Sequence, residues 1–204
     1  MTVREIETPH GPARAHLYAA HDPRAALVLG HGAGGGVEAP DLGAAREAAR
    51  SERITVALVE QPYRVAGRRS PAGAAQLDAA WTAVVEELRA GELRGLPLIV
   101  GGRSLGARVA CRTAEATGAV AVLCLAFPLE PPRRTGAPPR SRLSELDAVS
   151  LATLVVQGER DPFGIPPPGP SRTVVTVRGD HGLKADLDAV AEAVRGWLAL
   201  RQEE

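Results

Sequence analysis

The chain has 204 residues, hydrophobic residues make up 45%, and Lys+Arg and Asp+Glu balance at 24 each. That length carries a full core in one domain, read here as 1–204, and a neutral balance gives no grip on nucleic acid or an anionic membrane surface. The start, Met1-Thr2-Val3-Arg4-Glu5, carries an acid and lacks an apolar h-region, and no apolar run approaches the roughly 18 residues that span a bilayer, so we expect no signal peptide, no membrane association and a cytoplasmic protein.

In chain order, two short alternating segments at 3–8 and 13–20 flank Pro9-His10-Gly11-Pro12 and predict an antiparallel edge hairpin. Ala25-Ala26-Leu27-Val28-Leu29 is an unbroken apolar run, as a strand covered on both faces requires. It ends in His31-Gly32-Ala33-Gly34-Gly35-Gly36, a loop nearly without side chains. A helix is predicted at 41–50 and a strand at 54–59, which closes into Glu60-Gln61-Pro62-Tyr63-Arg64. Leu77, Trp81, Val84, Val85 and Leu88 recur at helical spacing within 74–90. Further strands are predicted at 98–100, 119–127, 152–157 and 173–177, and further helices at 107–116, 141–148 and 186–200. A proline- and arginine-rich loop covers 128–140, and five prolines between Pro162 and Pro170 forbid a helix there. Cys111 falls in a helical pattern and Cys124 in an apolar run, so both are read as reduced, buried packing residues.

Strands alternating with helices predict an open parallel sheet with helices on both faces, whose ligands gather at the carboxyl ends of the strands. One such end carries Gly101-Gly102-Arg103-Ser104-Leu105-Gly106, placed between an apolar strand and a helix. Strand, tight turn and helix are the context a G-x-S-x-G nucleophile elbow needs. The glycines leave room where strand and helix pass closely, and the helix N-terminus favours negative charge beside the serine. The rival reading is a glycine-rich turn with a bystander serine.

A serine hydroxyl needs a base, and the base an orienting acid. Asp161 and His181 each follow a later strand, in the order Ser, Asp, His of the α/β-hydrolases. Asp180 and Glu159 compete for the acid; adjacency gives Asp180 a poor angle to the imidazole. His10, His16 and His21 are read as surface or packing residues, and His31 as supporting the site at most. The oxyanion formed in acyl transfer needs two fixed N–H donors, for which we select Leu105 and Ala33. The loop at 31–36 lacks the Lys-Ser/Thr of a P-loop, which disfavours nucleotide binding.

Six stretches in register carry a family resemblance: Gly30-His31-Gly32-Ala33-Gly34; Pro62-Tyr63-Arg64 with Gly67-Arg68-Arg69; Gly101 to Arg108; Phe127-Pro128-Leu129-Glu130-Pro131-Pro132; Gln157 to Gly164; and Asp180-His181-Gly182-Leu183-Lys184. From Ala25 onward the chain resembles dienelactone-hydrolase-like α/β-hydrolases. Within these it resembles the small bacterial relatives of testis-expressed protein 30 and of the third subunit of the NSL acetyltransferase complex. The resemblance implies an α/β-hydrolase fold, a mostly parallel sheet with helices on both faces, and without insertions large enough to form one we expect no cap domain. Relatives usually carry a helix after the acid, which the proline run here replaces.

The expectation is a serine hydrolase that cleaves a small carboxylic ester or related acyl bond, with Ser104, Asp161 and His181 as its triad and no metal or cofactor. Its partner is a small-molecule acyl substrate. Tyr63, Phe127 and Phe163 fall at strand ends where they would line the pocket, with ordinary packing as their other reading. Arg68, Arg69 and Arg103 belong to the same rim and would bind an anionic substrate group, although one lysine against 23 arginines makes arginine crowding unremarkable. A non-catalytic interaction module is the alternative from another class.

Overall fold

The computed structural model describes residues 1–131 and 141–202. Its strands are β1 (Thr2–Ile6), β2 (Ala13–Tyr18), β3 (Ala25–Gly30), β4 (Ile54–Glu60), β5 (Leu98–Arg103), β6 (Ala121–Leu125), β7 (Ala152–Gly158) and β8 (Arg172–Val177). The helices are α1 (Pro40–Ser51), α2 (Pro62–Val65), α3 (Ala74–Ala90), α4 (Leu105–Thr113), α5 (Leu143–Asp147) and α6 (Leu187–Ala199). All eight strands join one sheet in the order β1-β2-β4-β3-β5-β6-β7-β8. β2 pairs antiparallel with β1 and β4, and every other pairing is parallel. This is the α/β-hydrolase fold, and among the described residues no cap domain covers the strand ends.

Alternation along the central strands builds two core layers. Ala26 and Val28 of β3 face α3, α4 and α5 with Trp81, Leu88 and Val109, while Leu27 and Leu29 face α1 and α6 with Leu42, Val190 and Trp197. Trp81 is fully buried and contributes on the order of 2–3 kcal/mol through apolar burial. A Cβ on Gly30 would lie 3.2 Å from its ring, so α3 packs directly against the strand that leads into the glycine loop.

Several boundaries differ from expectation for local reasons. The segment after β4, expected to close as a loop, carries α2, with Pro62 in its first turn where a missing N–H costs nothing. β5 continues through Gly101 and Gly102 to Arg103, because neighbours on both sides hold those glycines in register despite their weak strand preference. β6 stops at Leu125, and Ala126 takes φ +49°. Residues 132–140 of the predicted proline- and arginine-rich loop lie outside the described residues, while 162–170 contain no helix, as their prolines require. Cys111 and Cys124 are free and buried, with Sγ atoms 3.5 Å apart between α4 and β6. Among the described residues, no helix is long and apolar enough to cross a membrane.

Candidate active site

β5 delivers Ser104 and α4 begins one residue later. Ser104 takes φ +53° and ψ −107°, a conformation costing on the order of 1–3 kcal/mol that the surrounding packing must impose. The crossing of strand and helix explains the flanking glycines. A Cβ on Gly102 would stand 2.5 Å from the Gly30 carbonyl oxygen, and one on Gly106 would strike the same atom. Only side chains without a Cβ let β3, β5 and α4 converge here.

His181 lies in the loop after β8, with its Nε2 2.9 Å from Ser104 Oγ. Its Nδ1 is 2.8 Å from Asp161 Oδ2, in the turn after β7. With the proton on Nδ1 donated to the carboxylate, Nε2 is left as the acceptor for the serine hydroxyl. Asp161 is buried and further fixed: Gln157 Nε2 donates to Oδ2 at 2.8 Å, and Phe163 N–H donates to Oδ1 at 2.9 Å. Gln157 Nε2 also reaches the Phe127 and Gly164 carbonyls at 3.0 and 2.9 Å, so one buried amide ties the end of β7 to both sides of the acid. The competing acids are elsewhere engaged or solvated: Asp180 is exposed and accepts the Gly182 N–H at 2.8 Å, and Glu159 is exposed.

The glycine loop after β3 abuts the serine; a Cβ on Gly32 would lie 3.6 Å from Ser104 Cβ. Two buried side chains hold this loop. His31 Nδ1 donates to the Gly32 carbonyl at 2.8 Å, and its Nε2 accepts the Gln61 N–H at 3.1 Å. Burial lowers the His31 pKa and keeps the ring neutral, as that pair of roles demands. The Tyr63 hydroxyl donates to the Ala33 carbonyl at 3.0 Å, while its ring meets His31 edge-on with centroids 5.7 Å apart. Burial pushes the Tyr63 phenol up to about 12, so it stays a donor. Leu105 opens α4, where first-turn N–H groups have no acceptor inside the helix.

Of the residues expected at the substrate pocket, Phe127 and Arg103 need correction, and Tyr63, which lines a cavity beside α2, also has a structural role. Phe127 is fully buried among Val100, Val122 and Leu146, so it belongs to the core and offers no surface to a substrate. Tyr63 is 5% exposed and secures the glycine loop. Arg103 is committed to its own protein: Nε lies 2.9 Å from Asp41 Oδ2, and Nη2 donates to the His181 carbonyl at 3.0 Å. The first contact lies at ion-pair distance but off hydrogen-bond alignment, so Asp41 Oδ2 has charge compensation without a hydrogen bond. Burial raises the Asp41 pKa, against the pull of Arg103. Phe163 does stand at the site, its ring 4.4 Å from that of His181. Arg68 and Arg69 are exposed beyond α2. Asp41 and Gln157 carry supporting roles that the sequence reading missed. Gln157 lay inside a quoted motif, but nothing in the sequence linked Asp41 to Arg103. Among the described residues, no group of three or more His, Cys, Asp or Glu side chains is arranged to hold a metal ion.

Residues 23–186 match the family described as alpha/beta hydrolase domain. No curated protein matches the chain. Among solved structures, Est1E from Butyrivibrio proteoclasticus superposes with a TM-score of 0.80 at 15% identity, covering 100% of both chains. A dienelactone hydrolase from Anabaena variabilis gives 0.76 at 15% identity, covering 97% of this chain and 96% of its own. An α/β serine hydrolase without a lid, from Xanthomonas campestris, gives 0.74 at 19% identity, covering 97% and 93%. At these identities the likeness is one of fold.

Proposed function

The chain belongs to the alpha/beta hydrolase domain family, and from that premise we propose that it is a serine hydrolase cleaving a small carboxylic ester or related acyl bond. The observation that carries this reading is the continuous relay from Ser104 Oγ through His181, with contacts of 2.9 and 2.8 Å, to buried Asp161. Ser104 Oγ attacks the acyl carbonyl as its proton passes to His181 Nε2, and Asp161 stabilises the imidazolium. The Leu105 and Ala33 N–H groups hold the resulting oxyanion at the positive end of α4. The tetrahedral adduct then collapses, and His181 returns the proton to the departing alkoxide. Water, activated by the same histidine, releases the acid from the acyl-enzyme and restores Ser104. Phe163 walls the histidine side of the site.

The finer resemblance, to dienelactone-hydrolase-like enzymes and the small relatives of testis-expressed protein 30 and the third NSL subunit, fits this chemistry. We also read residues 1–204 as one domain, working in the cytoplasm on a small-molecule acyl substrate. Hydrolysis of p-nitrophenyl acetate and butyrate tests the proposal. The wild type is expected to turn over, with Ser104→Ala reduced to within about 10³–10⁴-fold of the uncatalysed rate. Equal rates in both proteins would refute it, and a folded wild type without turnover on any acyl substrate would favour the interaction-module alternative.

A further inference from the structure

Cys111 and Cys124 are the only cysteines of the chain, and the acyl-transfer chemistry uses neither. They face each other across the crossing that builds the elbow. Cys124 of β6 pairs in register with Gly102 of β5, and Cys111 stands farther along α4, the helix that Ser104 begins. Ala107 and Ala110 share the buried side of α4 with Cys111, so small side chains let the helix lie close to the sheet. The two Sγ atoms are 3.5 Å apart in consequence. A closure of about 1.5 Å separates them from the roughly 2.05 Å of a disulfide bond.

The two thiols are not equivalent. Cys124 is 0% exposed, whereas Cys111 is 5% exposed and borders a cavity of about 420 Å³ between α4, α5 and the chain leading into β7. Arg112, Glu115 and Glu145 form its polar wall, and Cys124 does not line it. Carboxylates outnumber the guanidinium there, and Arg112 is already paired with Asp78 and Glu145. Such a wall disfavours anionic thiol reagents and admits small neutral ones. Cys124 keeps its proton: its hydrogen bond to Cys111 and then its burial hold the thiol well above the ordinary value. One sulfur is therefore reachable, and a second waits against it.

We propose that Cys111 and Cys124 form a reversible oxidation site that takes hydrogen peroxide through this cavity and closes into a disulfide. The Cys111 thiolate attacks one peroxide oxygen and breaks the O–O bond; the departing hydroxide takes up a proton and leaves as water, with Cys111 now a sulfenic acid. The Cys124 sulfur then attacks the Cys111 sulfur and displaces its hydroxyl, which leaves as a second water carrying the Cys124 proton. The two thiols lose two electrons and the peroxide gains them. Closing the bond draws α4 toward β6, and α4 begins with Leu105, whose N–H is assigned to the oxyanion. On the serine-hydrolase reading, on which this last consequence rests, the oxidised protein is the slower enzyme.

The test treats the folded protein with hydrogen peroxide and maps its thiols by non-reducing peptide mass spectrometry. The expected product is a monomer carrying a Cys111–Cys124 cross-linked peptide, lighter by two hydrogens and reversed by dithiothreitol. Cys124→Ala should instead accumulate a sulfenic acid on Cys111, trapped by dimedone, and Cys111→Ala should leave Cys124 unmodified while folded. A folded wild type that keeps both thiols, or that couples them only after denaturation or between chains, overturns the proposal, and this result needs neither variant to fold. Hydrolysis of p-nitrophenyl butyrate should fall about tenfold in the oxidised wild type and recover with dithiothreitol. An unchanged rate in cross-linked protein overturns the link to the elbow. Turnover in neither form contradicts the hydrolase reading, while the mass result still decides the bond.

Discussion

Arg103 Nη2 donates to the carbonyl oxygen of His181 across 3.0 Å, joining the residue before the elbow serine to the loop that carries the histidine. The same guanidinium faces buried Asp41 on α1. One side chain therefore links the elbow, the loop after β8 and the first helix, and its two contacts have separable consequences.

Arg103→Ala strands the Asp41 carboxylate in the core, a loss expected to cost on the order of 3 kcal/mol. Adding Asp41→Asn removes the stranded charge and should restore most of that stability. It cannot restore the anchor on His181, so kcat for ester hydrolysis should remain about tenfold low in the double variant with KM little changed. Thermal melts and kinetics on both variants separate the effects. Full recovery of kcat would limit Arg103 to a stabilising role.

Tyr63→Phe keeps the ring against His31 and deletes the hydroxyl that holds the Ala33 carbonyl. If Ala33 helps to hold the oxyanion, a loosened loop should lower kcat about tenfold, while the melting temperature falls by only the few degrees that one hydrogen bond accounts for. Steady-state kinetics read the first quantity and calorimetry the second. Loss of stability with unchanged kcat would remove the loop from the reaction.

His31 predicts the acid side of the stability profile. Its folded pKa lies below the unfolded value of about 6.5 because the buried ring resists charge, so the unfolded chain takes up the proton first. The contribution of the neutral ring is complete above about pH 6.5 and declines as pH falls from there toward the folded value. Protonation would also cost Nε2 its role as acceptor for Gln61 N–H. Denaturant melts between pH 7.5 and 5, a window set by that ordinary histidine value, should show falling stability in the wild type and a flatter profile in His31→Gln. Parallel profiles would place the acid sensitivity elsewhere.

Much of this architecture is legible in the sequence because its determinants are local. The unbroken run from Ala25 to Leu29 announces a strand buried on both faces, and the glycines around Ser104 announce a close crossing. Ser104, Asp161 and His181 each follow a strand, and parallel strands bring their carboxyl ends to one edge of the sheet. The misses depend on contacts distant in sequence or on one backbone torsion. Phe127 follows a strand and reads equally as wall or core; β6 ends at Leu125, and the positive φ of Ala126 breaks the alternation that would have placed it. Arg103 beside a serine reads as a substrate cation until its partner on α1, Asp41, is known. Gln157 resembles any strand-end glutamine until its amide is found between Asp161 and two carbonyls.

The central claim is that Ser104 is a nucleophile activated by His181. The most direct measurement is covalent labelling with a fluorophosphonate probe, with the modified residue located by peptide mass spectrometry. The account predicts one adduct on Ser104, absent from Ser104→Ala and formed at least a hundredfold more slowly in His181→Ala, an order of magnitude set by the loss of a general base. A folded wild type that takes no label, or a His181→Ala variant labelled on Ser104 at the wild-type rate, would contradict it.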